Sequence, residues 1–293
     1  MKIRFGYRDI DFPSRELEPL RDGQHLLGDA PALWQRLDTD GYLLLRGFID
    51  RETVLAGRQL IMEGLQAQQA LAPDTPLLEG VMPRGGRTVR LRSEELVHHP
   101  AVLGVLENNV LFDLFETLFG EAALTFTYKW MRAVGNEQYT GAHYDFVYMG
   151  RGSRDLYTVW IPFGDIPIEQ GTLAVCRGSH NLDSFARIRD TYGRSDVDRD
   201  GIEGWFERDP MAIVDKFGGQ WLGSDYRAGD VIIFGMHTMH ASTTNLTNKY
   251  RLSCDVRYQP ASQPVDERWK KGGAGHYGSI RRDMKTARAE WGL

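Results

Sequence analysis

The sequence predicts a mainly β fold with flanking helices, built around a double-stranded β-helix, or jelly roll. The first observation is a series of short runs, rich in β-branched and aromatic residues, that alternate with turn residues at 124–132, 142–148, 155–163, 172–176, 230–235, 238–243 and 250–259. The second is that helical spacing of apolar residues precedes these runs. Many short strands late in a chain favour two packed sheets, with the earlier helices outside one of them.

Three helices and one early strand are predicted in the first part of the chain. The helices lie at 31–37, 50–69 and 100–119, and the strand lies at 42–46. Asp50 can cap the second helix, and Gly120 can terminate the third. Tyr42 and the three leucines after it form an apolar run, so we expect this strand to be buried.

The composition is that of an ordinary globular protein, with 42% hydrophobic and 26% charged residues among 293. We expect one domain over 1–293, with residues 1–30 as an irregular, charged arm on the surface. Residues 181–227 form a long insertion between two predicted core strands. Insertions of this length often act as active-site lids, although a flap at an oligomer interface would also fit.

Net charge and cysteine content limit the possible partners. The formal charge is −5, which argues against nucleic acid as a partner because binding to phosphates needs a basic excess. We find no secretory signal and no apolar stretch of bilayer length, so we expect a cytoplasmic protein without a membrane partner, as a monomer or homodimer. Cys176 and Cys254 lie in apolar runs and are expected to be buried free thiols.

A histidine and an aspartate two residues apart, His143 and Asp145, are the first candidate metal ligands. On a strand, side chains two apart point to the same face. His240, on a later predicted strand, can supply a third ligand. Two imidazoles and one carboxylate occupy one face of an octahedral iron and leave the opposite face open. His237 is a rival third ligand, but three residues before His240 it would face the other way.

A basic residue completes the pattern, because Arg251 follows His240 by eleven residues. A guanidinium can hold a carboxylate through two parallel hydrogen bonds. Together with the three metal ligands, it predicts an iron(II) oxygenase that consumes a 2-oxo acid.

These residues resemble the phytanoyl-CoA dioxygenase family of Fe(II)/2-oxoglutarate oxygenases over roughly 39–259. The resembling stretches are the early strand from Asp40, the central segment 157–180, and the closing motif from Ala228 to Arg251. The resemblance implies that His143, Asp145 and His240 bind Fe(II). It also implies that Arg251 pairs with the distal carboxylate of 2-oxoglutarate.

Four further residues receive roles from the same resemblance. Ser242 would help Arg251 bind the cosubstrate, Trp160 and Thr158 would line its pocket, and Lys129 would add a second cation there. For Trp160, an ordinary core position is an equal alternative. Related halogenases replace the carboxylate ligand by a small residue, so the presence of Asp145 favours hydroxylation or another outcome of a carboxylate-ligated iron.

The implied reaction uses O2 and 2-oxoglutarate to oxidise a C–H bond of a small organic molecule, a secondary metabolite or an acyl compound, with release of succinate and CO2. Hydroxylation is the expected outcome. Desaturation, cyclisation and epimerisation are alternatives that use the same oxidant. A cupin-like metal isomerase or hydrolase, or a non-catalytic binding protein, would be an alternative of another class.

The loop at 82–92 carries four arginines, which are Arg84, Arg87, Arg90 and Arg92. If it folds over the pocket, it can hold a carboxylate or phosphate of the substrate. The simpler interpretation, which we favour, is a solvated surface loop.

Overall fold

The computed structural model describes residues 1–91 and 94–293, and it gives no account of the Arg90 side chain. Arg92 lies outside the described residues. The strands are β1 (Lys2–Phe5), β2 (Arg8–Asp11), β3 (Glu18–Pro19), β4 (Tyr42–Leu45), β5 (Val89–Arg90), β6 (Ala123–Thr125), β7 (Trp130–Val134), β8 (Tyr157–Pro162), β9 (Leu173–Arg177), β10 (Gln220–Gly223), β11 (Val231–Gly235), β12 (His240–Ser242) and β13 (Arg251–Pro260).

The α-helices fall into an early group, an insertion group and a C-terminal helix. They are α1 (Ala30–Asp40), α2 (Arg51–Ala67), α3 (Glu94–Val97), α4 (Pro100–Leu106), α5 (Asn109–Phe119), α6 (Phe146–Met149), α7 (Ala186–Asp190), α8 (Val197–Asp200), α9 (Pro210–Phe217) and α10 (Met284–Glu290). None of the helices in the described ranges is both long and apolar enough to cross a bilayer.

Two facing sheets form the predicted jelly roll. The larger sheet has the order β4-β11-β8-β13-β7-β5, and β6 pairs with the far end of β13. The smaller sheet has the order β12-β9-β10-β3. Interior side chains of both sheets pack together, among them Trp160, Ile232, Val175 and Leu222. The prediction of a jelly-roll core with flanking helices is therefore confirmed.

The early helices cover the outer face of the larger sheet, because the strands alternate their side chains between the two faces. On β13, for example, Leu252, Cys254 and Val256 face the helices and join the cluster that contains Leu65, Val105 and other helical residues. The intervening residues of β13 face the interior. This alternation decides which β13 side chains can take part in a site between the sheets.

Local signals placed most early elements correctly. Asp50 caps α2 by accepting from the Thr53 backbone N–H at 2.8 Å, and Gly120 ends α5 with a left-handed φ of 69°. The predicted helix at 100–119 is instead two helices. Asn108 interrupts it, because its side chain caps α5 through the Val110 N–H. Both cysteines are buried and free, as predicted.

The prediction of an irregular surface arm at 1–30 is corrected by the structure. Strands β1 and β2 pair as a hairpin, and β3 joins the smaller sheet through a parallel pairing with β10. Ile3 and Phe5 are buried, and the Arg4 carbonyl accepts from the Thr244 N–H at 2.8 Å. The charged residues of this segment hid the alternation of its few apolar side chains.

The insertion is shorter than predicted, since β10 within it is a strand of the smaller sheet. Its remainder is mostly short helices. One stretch returns to the first metal-ligand segment, where the Ala142 N–H donates to the Glu207 carbonyl and the Phe206 N–H donates to the Ala142 carbonyl, both at 2.8 Å. Gly204 lies directly against Tyr148, with no room for a side chain between them.

A buried carboxylate fastens the C-terminal segment to the insertion. Asp198 of α8 accepts from Arg268 at 2.5 Å, from the His276 ring, and from the backbone N–H groups of Tyr277 and Gly278. Burial alone would raise the pKa of Asp198, but these hydrogen bonds, with His276 foremost, lower it to about 2. The ionised form is therefore stabilised by folding.

We predict that Asp198→Asn lowers the free energy of unfolding by about 2 kcal/mol at pH 6. Because the folded pKa lies below the unfolded value, the wild-type advantage is present above about pH 4 and is lost as the pH falls towards 2. Urea unfolding at pH 6, 4 and 3 measures this. Asp190→Asn, at an exposed pair with Arg194, is the matched control. A difference that stays constant with pH would contradict the role.

Candidate metal centre

The two histidines meet through a short antiparallel bridge between distant parts of the chain. The His143 N–H donates to the His240 carbonyl at 3.0 Å, and the His240 N–H donates back at 3.1 Å. The predicted strand at 142–148 is wrong, since only this bridge and its neighbour at Ala142 are extended. Asp145 already has helical angles and precedes α6. The carboxylate reaches the histidines from a helical turn and not from a strand.

The three predicted ligands converge. Asp145 Oδ1 lies 3.7 Å from His143 Nε2 and 3.6 Å from His240 Nε2, and all three side chains are buried. One ligand atom from each residue lies within 4.8 Å of the others. Two imidazole nitrogens and one carboxylate oxygen at these distances suit a divalent iron.

Both imidazoles have the tautomer that metal binding requires. His143 Nδ1 lies 2.8 Å from the Gly141 carbonyl, and His240 Nδ1 lies 3.0 Å from the Thr238 carbonyl. A carbonyl only accepts, so each Nδ1 carries a proton, and in the neutral ring the lone pair then lies on Nε2. Burial, followed by the neighbouring His240, lowers the pKa of His143 to about 3. The ring is therefore neutral at physiological pH.

Asp145 is held in its ionised form by its neighbours. Oδ2 accepts from the Thr158 hydroxyl at 2.5 Å and from Arg257 Nη2 at 2.9 Å. Burial would raise the pKa of this carboxyl, but Arg257, followed by the two histidines, holds it well below its usual range. Oδ1 remains available to a metal. The two Nε2 atoms and Asp145 Oδ1 are therefore a donor set that fits iron.

The rival ligand His237 points elsewhere. Its Nε2 lies 2.8 Å from the Gly193 carbonyl, and its ring stacks on Phe146 at 4.8 Å between centroids. The ring therefore serves packing between the ligand segment and the insertion. Among the remaining histidines, His99 caps α4, because its Nδ1 accepts from the Ala101 N–H.

Arg251 is a buried cation without a carboxylate partner among the described residues. Its Nη1 donates to the Ser253 hydroxyl, its Nε has no partner, and its guanidinium lies 5.7 Å from the Trp160 ring centroid. Burial, followed by the charge of Arg132, lowers its pKa to about 9. Such a group needs an anion, and the far carboxylate of a 2-oxo acid would supply it.

The four weaker site predictions have different outcomes. Trp160 lies beside Arg251, packed on Tyr226 in the interior. Ser242 is buried, and its oxygen accepts from the Thr140 N–H at 2.8 Å, which leaves its proton free to donate. Thr158 contacts the metal ligand Asp145, so its hydroxyl is not free for a cosubstrate.

Lys129 is the prediction that the structure corrects. Its ammonium pairs with Glu107 at 2.8 Å and donates to the Phe126 carbonyl at 2.6 Å and to the Thr125 hydroxyl. These partners use the three donors of an ammonium. Lys129 therefore ties the start of β7 to the end of α4, and it is not a spare cation for the cosubstrate.

Three interior residues were missed by the sequence analysis, namely Ser253, Arg257 and Arg132. The period of two along β13 could have found the first two, because Arg251, Ser253, Asp255 and Arg257 share one face. Arg132 of β7 pairs with Asp255 across the sheet. Arg132 reaches Asp255 because β7 pairs with β13, and this pairing could not be predicted from the sequence.

A family model decides the classification. The model described as phytanoyl-CoA dioxygenase (PhyH) matches residues 37–253. The chain belongs to the phytanoyl-CoA dioxygenase family. The protein is accordingly a 2-oxoglutarate-dependent oxygenase, with iron and 2-oxoglutarate as cofactor and cosubstrate. The predicted family and enzyme class are confirmed.

Two curated relatives have the same name, 1-deoxypentalenic acid 11-beta-hydroxylase. The one from Streptomyces exfoliatus is 29% identical, and the one from Streptomyces arenae is 30% identical. Each alignment covers 81% of this chain and 83% of the relative. Among solved structures, the non-heme alpha ketoglutarate dependent carbocyclase SnoK from nogalamycin biosynthesis has a TM-score of 0.57 at 18% identity, covering 84% of this oxygenase and 89% of that chain. The structural likeness shows a shared fold.

We predict that Arg251→Lys raises the KM of the oxygenase for 2-oxoglutarate at least tenfold. A point charge cannot reproduce the planar fork, and a lost charge-assisted hydrogen bond costs about 1.5–3 kcal/mol. Succinate formation at varied 2-oxoglutarate concentrations measures the change. Arg87→Lys, at an exposed arginine, is the control. An unchanged KM for 2-oxoglutarate in the Arg251 variant would refute the assignment.

Proposed function

We propose that this oxygenase hydroxylates a C–H bond of a small, largely apolar carboxylic acid. Iron would bind at His143, Asp145 and His240, and 2-oxoglutarate would bind at Arg251. The observation that carries the proposal is the buried cluster of three candidate ligand side chains in the same interior as Arg251, which has no anionic partner among the described residues.

The protein's own residues provide geometry and charge. The bound iron, with 2-oxoglutarate and O2, supplies the oxidising chemistry, and succinate and CO2 are released. His143 and His240 would present their Nε2 atoms to the metal, because their Nδ1 atoms are fixed by backbone carbonyls. Arg251 and the Ser253 hydroxyl orient the cosubstrate carboxylate, with Trp160 as one wall. Ser242 has a free hydroxyl proton and is a further candidate donor.

Hydroxylation is favoured over the alternative outcomes by the two relatives, both of which are named as hydroxylases. The product mass separates the possibilities. Hydroxylation adds one oxygen atom, desaturation or ring closure removes two hydrogens, and epimerisation leaves the mass unchanged.

An apolar substrate is supported by aromatic side chains that begin at the metal ligands. Tyr148 lies 5.6 Å from His143 between ring centroids, and the Arg257 guanidinium lies 4.2 Å above the Trp130 ring. Trp130 packs on Trp269 at 4.9 Å. These rings offer an apolar surface beside the reacting position, as ligand sites commonly do.

A carboxylate on the substrate is supported by the charges near the metal. Arg132, Arg251 and Arg257 carry three positive charges, against two negative charges on Asp145 and Asp255. Fe(II) and dianionic 2-oxoglutarate cancel each other, so one positive charge remains. Arg132 is the most exposed of the three, with 36% of its side chain accessible. The relatives, too, are named for an acid.

The insertion is proposed as part of the roof over this site. Its backbone pairs with Ala142 next to a metal ligand, and Gly204 touches Tyr148. Asp198 fastens the C-terminal segment to the same insertion. Two segments that are distant in sequence, the insertion and the C-terminal segment, therefore pack against the aromatic residues Tyr148 and Trp130.

The activity test is succinate release by the iron-loaded protein with 2-oxoglutarate, O2 and a panel of apolar carboxylic acids. We predict that Asp145→Ala abolishes succinate formation, because two imidazoles alone bind iron weakly and lack the charge of the carboxylate. Asp155→Ala, at an exposed aspartate, should retain activity. Normal succinate production by the Asp145 variant would sink the proposal.

The substrate class has its own test in Arg132→Ala. We predict that this variant raises KM for an accepted acid about tenfold or more, while KM for 2-oxoglutarate stays within about twofold, since a charge-assisted hydrogen bond contributes about 1.5–3 kcal/mol. The methyl ester of the same acid should be a poor substrate of the wild type, and its KM should be the same in the wild type and in the Arg132→Ala variant. Arg87→Ala is the control. Equal turnover of acid and ester by the wild type would contradict the proposal that the enzyme recognises a carboxylate on its substrate.

We further propose that the chain functions as one domain, a monomer or homodimer in the cytoplasm, without nucleic acid. Light scattering on the purified protein measures the oligomeric state. Monomer and homodimer are equally compatible with a site in which the proposed ligands all come from one chain.

A further inference from the structure

The two oxygens of the Asp145 carboxylate have different surroundings. Oδ1 faces the two Nε2 atoms at 3.7 and 3.6 Å. Oδ2 is turned away from them and receives two donors, Thr158 Oγ1 at 2.5 Å and Arg257 Nη2 at 2.9 Å. All of these side chains are buried. The asymmetry means that one oxygen is free for a metal and the other is already occupied.

The two donors are built into the same place on the larger sheet. Thr158 of β8 and Arg257 of β13 are directly opposite each other in the antiparallel pairing. Directly opposed residues on one face have side chains close together. Their position relative to each other is therefore fixed by the backbone hydrogen bonds of the sheet, and both side chains reach Asp145 Oδ2.

Arg257 is held towards Asp145 at a cost. Its guanidinium lies over the Trp130 ring, and its buried Nε and Nη1 have no hydrogen-bond partner in the part of the chain that the structure describes. Asp255 lies 3.9 Å from Nη1 but pairs more closely with Arg132. Leaving buried donors unpaired is unfavourable. The hydrogen bond that Arg257 does make to a side chain is the one from Nη2 to Asp145 Oδ2.

We propose that Arg257 and Thr158 hold Asp145 as a one-oxygen ligand. This inference rests on the proposed function. An octahedral metal with three protein ligands keeps three positions, two for a chelating 2-oxo acid and one for O2. If Asp145 bound through both oxygens, it would take the last of these positions. Donors on Oδ2 make that binding mode unfavourable, so Arg257 and Thr158 act as positioning residues that preserve the O2 position.

A purely structural ion pair is the competing account of Arg257. Removing a partner from a buried pair lowers stability in either case. The two accounts differ in what happens at the metal. Only the positioning role requires that removing the Thr158 hydroxyl, a change of small size, alters metal affinity and access of a diatomic ligand to the metal.

The test compares Thr158→Val and Arg257→Met with the wild type. Two readouts are used, the dissociation constant for Fe(II) and the binding of nitric oxide to the anaerobic Fe(II)–2-oxoglutarate protein, followed by electron paramagnetic resonance. We expect about tenfold to hundredfold weaker Fe(II) binding. We also expect a nitric oxide signal reduced at least several-fold at equal iron loading. Thr158→Ser, which restores the hydroxyl, should recover both.

Thr172→Val is the matched control, because Thr172 is also buried but its hydroxyl has no hydrogen-bond partner within residues 1–91 and 94–293. It should bind Fe(II) and nitric oxide like the wild type. Thr158→Val keeps the test decisive if Arg257→Met does not fold. Wild-type iron and nitric oxide binding in the Thr158 variant would overturn the positioning role and leave the proposed function intact. A wild-type protein that binds no Fe(II) would overturn the proposed function instead.

Discussion

The backbone bridge between His143 and His240 is the constraint on which the site depends. Two hydrogen bonds join a loop that follows β7 to the first residue of β12. They set the two imidazoles with centroids 4.1 Å apart. Because the bridge uses main-chain atoms, both side chains remain free to act as ligands. The smaller sheet then fixes His240, since β12 pairs with β9 in register from His240 to Ser242.

The interior between the sheets is unusually charged for a protein core, and each charge has a specific reason to be there. Arg257 forms an ion pair with Asp145, and Arg132 forms one with Asp255. Arg251 has no carboxylate partner among the described residues. Buried charges are tolerated only when they are paired or when a ligand will pair them. Under the proposed function, the guanidinium of Arg251 would pair with a dianionic cosubstrate beside the metal cluster. Without it, the same three ligands would suit several metal-dependent activities.

The surrounding elements connect this charged interior to the outside. The aromatic side chains of Trp130 and Tyr148 border it, and the insertion and the C-terminal segment meet at Asp198 above them. The buried carboxylate at Asp198 joins pieces that are more than sixty residues apart in the chain. Under the proposed function, substrate selection is shared between these segments and the β7 residues Trp130 and Arg132 of the larger sheet.

The sequence by itself identified the candidate metal ligands, the candidate cosubstrate residue Arg251 and the jelly-roll class, because residue type, spacing and period-two alternation are local properties. It could not show that Asp145, two residues after the extended His143, already has helical backbone angles. Nor could it show that Lys129 forms an ion pair with Glu107, or that Thr158 and Arg257 both donate to Asp145 Oδ2. Which side chains become neighbours was decided by the register of β8, β13 and β7, and that register is a long-range property, selected by the packing of both sheet faces at once.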